Sequence, residues 1–197
     1  HYLFLWGRFE LFSGPPEHIS ETCIVRFAYD RLSSSQSRSK EQSKEVKGMK
    51  PAKKQLHHVE AKNKTVALKF MNNLTCYLNE IQTYENANFD ENYVVSFLCY
   101  VNTNENEELK EDSMLKGFGD YPYCVVMEAG EANLFQEVTQ QHFAGRDWEK
   151  IKLVFTSLIH CANNLHECGY IHGDLKPMNV LMTTKGNCKL IDFDAAC

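Results

Sequence analysis

The stretch that decides how this chain folds lies near its carboxyl end. It runs His172-Gly173-Asp174-Leu175-Lys176-Pro177-Met178-Asn179 and is followed by Ile191-Asp192-Phe193-Asp194. The residues between these two pieces predict a strand over 180–183, a turn at 185–187 and a second strand over 188–191. Because a strand–turn–strand hairpin brings its two ends together, we expect Asp174, Asn179 and Asp192 to converge.

The polar side chains at this point suit phosphoryl transfer. The Asp174 carboxylate can orient and deprotonate an attacking hydroxyl. Asn179 and Asp192 offer amide and carboxylate oxygens, the hard ligands that Mg²⁺ prefers. Lys176 can neutralise charge on the phosphoryl group that moves. Because phosphoryl transfer depends on positioning and charge neutralisation, these residues predict a phosphotransferase site.

The same segments resemble the signature motifs of protein kinases. HGDLKPMN at 172–179 resembles the catalytic loop, IDFD at 191–194 the metal-binding segment, and VALK at 66–69 the strand with the nucleotide-binding lysine. The resemblance implies an α+β, two-lobe fold of the Ser/Thr protein kinase type, with a complete strand-rich N-lobe and an incomplete helical C-lobe. It implies ATP and Mg²⁺ as cofactors. Asp174 would be the catalytic base, Lys176 a phosphate contact, and Asn179 and Asp192 the metal ligands.

Further nucleotide contacts are implied by the same resemblance. Lys69 would contact the α and β phosphates, with Glu80 as its partner on a helix and Glu85 as the alternative. CVVMEAG at 124–130 resembles the strand that leads into the interlobe hinge. The residues expected around adenine are Met127 as gatekeeper, the backbone of Glu128 and Gly130 at the ring edge, and Ala67 and Val25 on the ring faces.

Three places depart from the family pattern. Aligning residues 25–28 with the strand after the glycine-rich loop puts His18, Ser20 and Cys23 where three glycines are expected. Gly173 replaces an arginine that binds a phosphorylated activation loop, so we expect less control by such phosphorylation. Asp194 replaces a glycine that gives the metal-binding segment its backbone freedom.

Residues 1–128 are predicted to form the N-lobe. Strand patterns cover 22–31, 65–70, 93–102 and 121–128, and a helix is predicted over 73–86. The polar residues 102–119 predict a surface connection.

Residues 33–64 differ sharply in composition from the rest of the N-lobe. They contain nine Lys or Arg against three Glu, together with six serines. This composition predicts a flexible basic insertion, with a docking or nuclear-import segment at 50–54 as the alternative.

The predicted hinge spans 129–132, and 133–197 form a partial C-lobe. A long helix with its N-cap at Asp147 opens this lobe, and its apolar positions, including Trp148, Phe155 and Ile159, are expected to be buried. The chain starts without Met and ends five residues after Asp192, which indicates a fragment.

Net charge and composition limit the kinds of partner that we expect for this chain. A net charge of −5 gives no reason to expect nucleic acid, and the short apolar start lacks the basic flank of a signal peptide, so we expect no membrane partner either. The eight cysteines lack metal-ligand spacing, and several of them lie inside apolar runs. Reduced cysteines of this kind indicate an intracellular protein, cytoplasmic or nuclear. The oligomeric state is open.

Three functions remain possible at this point. The first is ATP- and Mg²⁺-dependent phosphorylation of Ser/Thr hydroxyls in a protein substrate, which Lys176 favours by family likeness. The second is a pseudokinase or truncated interaction module, favoured by the missing glycines, Asp194 and the early end. The third is a small-molecule phosphotransferase similar to aminoglycoside or choline kinases, against which the Lys176-Pro177 pair argues.

Overall fold

A computed structural model of the chain describes residues 3–31, 48–51 and 64–197. The chain divides into a first unit of His1–Tyr77 with Phe97–Ala129 and a second of Leu78–Ser96 with Gly130–Cys197. A large antiparallel sheet lies in the first unit, and the second contains the longest helix with a small sheet. The predicted α+β class is therefore confirmed, whereas the lobe boundaries at 128 and 132 stay a prediction.

Eight strands form the sheet of the first unit. They are β1 (Leu3–Leu5), β2 (Phe9–Leu11), β3 (His18–Ile19), β4 (Cys23–Asp30), β5 (Met49–Pro51), β6 (Lys64–Met71), β7 (Phe97–Asn102) and β8 (Tyr123–Glu128). Their order is β1-β2-β4-β6-β8-β7-β5, with β3 paired to β4. The predicted strands over 22–31, 65–70 and 121–128 are confirmed. The strand predicted over 93–102 begins only at Phe97, because Val94 makes a single bridge to Leu190 instead.

Helix α1 (Leu74–Asn86) follows β6, as the apolar spacing predicts. Asn73 caps it, since its Oδ1 accepts hydrogen bonds from the amides of Thr75 and Cys76 at 2.9 and 3.1 Å. The unit boundary falls within this helix, after Tyr77.

The segment 102–119 is more ordered than its polar composition predicts. It contains a 3₁₀ helix (Thr103–Glu105) and helix α2 (Glu107–Leu115). Asn106 caps α2 by accepting from the amide of Leu109, and two glutamates in the first turn complement the helix dipole. Because α2 buries only Leu109 and Ser113 among its own residues, its apolar pattern is too sparse to read from the sequence.

The apolar start of the chain is a hairpin that packs on this helix. Leu5, Trp6, Phe9 and Leu11 are buried against Leu68, Phe70, Leu109 and Val126 on one face of the large sheet. The Trp6 indole Nε1 donates to the Leu109 carbonyl at 3.2 Å and to Ser113 Oγ at 2.9 Å. The hairpin and α2 thus pack on one face of the large sheet.

The predicted insertion over 33–64 is corrected where the structure describes it. Met49–Pro51 form β5, which pairs with β7 at the edge of the sheet. Lys50 pairs with Glu105 at 2.8 Å, and Met49 packs against the core. Lys64 already belongs to β6. The remaining residues, 33–47 and 52–63, lie outside the described part, as does most of the alternative docking segment.

The second unit contains α3 (Leu134–Gln141), α4 (Trp148–Glu167), a 3₁₀ helix (Pro177–Asn179) and strands β9 (Ala132–Asn133), β10 (Val180–Met182) and β11 (Cys188–Leu190). The three strands pair in the order β11-β10-β9. Sequence reasoning missed α3, although Asn133 and Gln136 form a capping box whose pattern is readable in the sequence.

Helix α4 confirms the predicted cap at Asp147, which accepts from the Lys150 amide at 3.0 Å. Its predicted buried face is wrong in part. The stripe that is buried contains Val154, Ser157, Cys161 and Leu165. Trp148, Phe155 and Ile159 are exposed, with 71%, 63% and 65% of their surface accessible. Apolar residues lie on two sides of α4, so periodicity alone could not show which side packs against the small sheet.

Candidate active site

Four of the predicted nucleotide-binding residues share one face of the large sheet. Val25 lies opposite Lys69 across β4 and β6, and Ala67 lies opposite Met127 across β6 and β8. Directly opposed residues, and residues two apart on one strand, point to the same side of a sheet. This side is the one opposite to the core formed by Leu68 and its neighbours. Lys69 is only 6% exposed, so its side chain is buried.

The hairpin that aligns with the glycine-rich loop is tight. His18 and Ile19 of β3 pair with Val25 and Ile24 of β4, and the tip contains no glycine. Ser20 Oγ accepts hydrogen bonds from the amides of Thr22 and Cys23 at 3.3 and 3.1 Å. Two tip amides are therefore already bonded to a side chain.

Glycine at position 130 has a steric cause. A Cβ built there would lie 2.5 Å from Cδ1 and 3.0 Å from Cγ of Leu181, in strand β10. Because such distances are shorter than van der Waals contact, any larger residue would displace Leu181.

The two candidate glutamates on α1 differ in burial. Glu80 is completely buried, whereas Glu85 is half-buried. Burying an ionised carboxylate is costly unless it is paired or hydrogen-bonded, so a cationic partner matters more to Glu80 than to Glu85. Its role as partner of Lys69 stays a prediction.

The catalytic loop brings three of its predicted side chains together. Asn179 Nδ2 donates to the main-chain carbonyl of Asp174 at 2.9 Å and to Asp174 Oδ2 at 3.1 Å. Lys176 Nζ donates to the same Oδ2 at 2.5 Å. The Asp174 carboxylate is thus oriented by two donors from its own loop.

These contacts also set the charge of the loop. The hydrogen bond from Lys176 lowers the pKa of Asp174, with a smaller contribution from Asn179. In return, the bond to Asp174 and the nearby carboxylates of Asp192 and Asp194 raise the pKa of Lys176. Both groups are therefore charged at neutral pH, and Asp192 lies close enough to act electrostatically on Lys176.

Replacing Lys176 by methionine is expected to raise the pKa of Asp174 toward its ordinary value of about 3.9. Because the pKa of Asp174 is lower in the folded than in the unfolded protein, it adds to the free energy of unfolding at pH values above the unfolded-state pKa. This contribution is lost as the pH falls through the folded-state pKa. The contribution is small because both side chains are over 40% exposed. Carboxyl ¹³C NMR titration measures the change in the pKa of Asp174. An unchanged pKa would contradict the ion pair between Lys176 and Asp174. Lys152→Met, at an exposed position on α4, is the control.

Asp192 follows β11 in a left-handed backbone conformation, with φ of 72°. Aspartate tolerates this region better than most residues. The preceding Ile191 is held from both sides, since its amide donates to the Asn179 carbonyl at 3.1 Å and its carbonyl lies 3.0 Å from His172 Nε2. His172 and Asn179 thus both hold Ile191, the residue that leads into Asp192.

Phe193 anchors the segment after Asp192. It is completely buried and contacts three aromatic rings, those of Tyr84, Phe89 and His172, at centroid distances of 5.2, 5.3 and 5.1 Å. The sequence motif identified Phe193, but nothing in the sequence indicated which rings would surround it.

The glycine that replaces the expected arginine has a local structural reason. Gly173 has φ of 77°, and a Cβ added there would clash with the main-chain carbonyl of Ala195. Next to it, Ile171 and Cys197 exchange two backbone hydrogen bonds of 2.8 and 3.1 Å. The catalytic loop and the segment after Phe193 are therefore in direct backbone contact, which a side chain at 173 would prevent.

The residues that could hold a cation are few. In 3–31, 48–51 and 64–197, no three His, Cys, Asp or Glu side chains gather as metal ligands. Asn179 and Asp192 nevertheless fit Mg²⁺, which commonly takes one or two protein carboxylates together with substrate phosphates and water. Because Asn179 Nδ2 is bonded to Asp174, its Oδ1 is the atom left to face a cation.

Comparison with known proteins decides the family. Residues 36–197 match the model of the protein kinase domain. The chain belongs to the protein kinase family. This assignment also confirms the two-part kinase fold that the motifs imply.

Individual relatives are also kinases. A 76-residue stretch is 34% identical to serine/threonine-protein kinase ppk15 of Schizosaccharomyces pombe, covering 38% of this chain and 14% of that protein. Dual specificity tyrosine-phosphorylation-regulated kinase 2 of Drosophila melanogaster is 31% identical over 85 residues, 40% of this chain and 12% of that protein. The probable serine/threonine-protein kinase yakA of Dictyostelium discoideum is 29% identical over 143 residues, 67% of this chain and 9% of that protein. The chain spans at most 14% of the length of these three relatives.

The helices offer one further observation. None of those in the described part of the chain combines the length and apolarity needed to cross a membrane.

Proposed function

We propose that this kinase domain transfers the γ-phosphoryl group of ATP to Ser or Thr hydroxyls of a protein, with Mg²⁺ as the metal. The observation that carries the proposal is the arrangement of the catalytic loop, in which Asp174 is held by Lys176 and Asn179. A charged, oriented carboxylate next to a lysine suits deprotonation of a hydroxyl beside a phosphate.

The proposed chemistry assigns one task to each side chain of the loop. Asp174 orients the acceptor hydroxyl and takes its proton as the new oxygen–phosphorus bond forms and the bond from the γ phosphorus to the leaving ADP breaks. Lys176 offsets negative charge on the transferred group. When bound, Mg²⁺·ATP supplies the phosphoryl group and a cation that neutralises it. Asn179 Oδ1 and the Asp192 carboxylate are the proposed metal ligands.

The proposed nucleotide contacts come from the face of the large sheet opposite to its core. Lys69 binds the α and β phosphates, with Glu80 as its proposed partner. Met127, Ala67 and Val25 form apolar contacts with adenine. The backbone of Glu128 and Gly130 makes hydrogen bonds to the edge of the adenine ring. Support comes from the shared sheet face of Val25, Ala67, Lys69 and Met127.

Nucleotide binding gives the first test. Mg²⁺·ATP at about 100 times its Kd should raise the free energy of unfolding by about 2.7 kcal/mol, seen as a higher Tm. Lys69→Met should abolish most of this increase, because a buried ammonium near phosphate cannot be replaced by an apolar group. Lys64→Met, at the exposed start of the same strand, should keep it. A well-folded wild type with an unchanged Tm would overturn the proposal.

The acceptor class needs a separate assay, because one of the similar kinases is named as having dual specificity. Matched peptides that differ only in a central Ser, Thr or Tyr should show phosphorylation of Ser and Thr. Small alcohols such as choline and an aminoglycoside serve as controls. Phosphorylation confined to these small acceptors would assign the small-molecule alternative instead.

A non-catalytic module is the second candidate function. The observation in its favour is the hairpin at 18–23, where Ser20 occupies the amides of Thr22 and Cys23 that could otherwise face a phosphate. Failure to bind Mg²⁺·ATP in the assay above would favour this candidate.

A further inference from the structure

One polar side chain on α1 holds the segment that follows the proposed metal ligand. Asn79 Nδ2 donates to the main-chain carbonyl of Asp194 at 2.8 Å and to that of Ala196 at 3.1 Å. Because both partners are carbonyl oxygens, the side chain must present its NH₂ group rather than its oxygen. One amide thus bridges two carbonyls, two residues apart, in a single short segment.

The same segment is held at other points by its own backbone. Cys197 pairs with Ile171, and the Ala195 carbonyl lies against Gly173. Phe193 is buried among aromatic rings. The backbone contacts join the segment to the catalytic loop, whereas Asn79 and the contact between the Tyr84 and Phe193 rings join it to α1.

The place of Asn79 on α1 gives this bond a consequence. Asn79 directly precedes Glu80, the proposed partner of the nucleotide-binding lysine. The segment it holds starts two residues after Asp192, the proposed metal ligand. A shift or rotation of α1 by a fraction of a turn would break both bonds, since a hydrogen bond weakens steeply with distance and angle.

The residue at 194 makes such a bond useful. Where the family pattern has a glycine, this chain has Asp194, whose carboxylate acts on Lys176 together with that of Asp192. Asp192 and Asp194 thus both act on the same ammonium group, so the position of each carboxylate depends on the backbone that joins them. Two hydrogen bonds from a neutral amide hold this backbone without adding charge.

We propose that Asn79 is a positioning residue, which clamps the Asp194–Ala196 backbone to α1 and thereby fixes Asp192 for Mg²⁺. The metal role rests on the proposed function, whereas the clamp itself does not. Residues that orient metal ligands commonly change metal affinity about 10- to 100-fold when replaced.

The decisive comparison uses two isosteric changes of amide to carboxylate on the same helix. Asn79→Asp keeps the size of the side chain but removes the donor and places a carboxylate against two carbonyl oxygens. Gln82→Glu makes the same chemical change at an exposed position one turn away. Asn79→Ala removes the bonds without adding charge.

Hydrogen exchange of the backbone amides, measured without ligand, tests directly whether Asn79 holds the segment. In Asn79→Asp and Asn79→Ala the amides of residues 194–197 should exchange about tenfold faster or more, since two hydrogen bonds are lost. Gln82→Glu should leave them unchanged. Equal exchange in all four proteins would overturn the clamp.

The Mg²⁺ dependence of stabilisation by ATP tests whether Asn79 positions Asp192. The Mg²⁺ concentration for half-maximal stabilisation by ATP should rise about tenfold in the Asn79 variants, with no change in Gln82→Glu. Faster exchange with unchanged Mg²⁺ dependence would overturn the positioning role. A wild type that binds no Mg²⁺·ATP would overturn the proposed function and, with it, the metal role of Asn79. The ligand-free exchange comparison separates that failure from a failure of the clamp.

Discussion

Replacing Asp174 by asparagine is expected to lower kcat about 10²–10⁴-fold, the usual contribution of a general base. Asparagine keeps the shape of the side chain and an oxygen that can accept from Lys176 and Asn179, but it cannot take a proton. The KM for ATP should change little, because the lost function belongs to the acceptor side of the reaction. Steady-state kinetics with a Ser peptide measures both parameters.

Asp147→Asn is the matched control for this change. Asp147 caps α4 by accepting from the Lys150 amide, and asparagine is as good a cap as aspartate. Its activity should equal that of the wild type. If Asp174→Asn retained wild-type kcat in a protein that phosphorylates the peptide, Asp174 would not be the base.

Replacing Gly173 by alanine adds only one methyl group but is expected to lower the free energy of unfolding strongly. The new methyl group would enter a left-handed backbone conformation, which costs about 1–2 kcal/mol for an L-residue. It would also meet the Ala195 carbonyl, and displacing packed backbone adds about 1–3 kcal/mol. Because the displaced segment follows Asp192, kcat should fall as well.

Gly186→Ala separates the two costs. Gly186 has φ of 80°, close to that of Gly173, but its added Cβ would meet only Leu153 Cδ2, at 3.6 Å. The difference between the two variants in denaturant unfolding therefore isolates the clash. Equal losses of stability would show that the close approach of Ala195 to position 173 is not maintained in solution.

This close approach changes how the departure at position 173 is interpreted. The sequence indicates only that an arginine expected by family likeness is missing. The structure shows that the glycine admits the Ala195 carbonyl, and that Asn79 and Ile171 hold the same segment. Contacts among unmodified residues thus hold the segment, and the expectation of less control by activation-loop phosphorylation stays a prediction.

Elements with a regular pattern were predictable from the sequence. The strands β4, β6 and β8 are six to eight residues long and contain several β-branched and aromatic residues, and α1 and α4 have caps that the sequence displays. Elements whose stability comes from distant partners were missed. Met49–Pro51 form a strand because β7 offers an open edge, and α2 is stabilised by packing of Trp6 against Leu109 and Ser113.

The catalytic loop shows the same division at the level of the site. The sequence by itself determined the residue types and their order: Asp174, Lys176, Asn179 and Asp192, separated by a strand–turn–strand hairpin that brings them together. This was possible because the contacts among them are local in the chain.

Only the tertiary structure decided what holds these residues in place. The bond from Asn79 to Asp194 joins residues 115 positions apart, and that from Asn79 to Ala196 joins residues 117 apart. The rings around Phe193 and the carbonyl against Gly173 are likewise set by how separate segments pack. Sequence periodicity describes a residue's own helix or strand, so contacts between distant segments are determined only when the whole chain is folded.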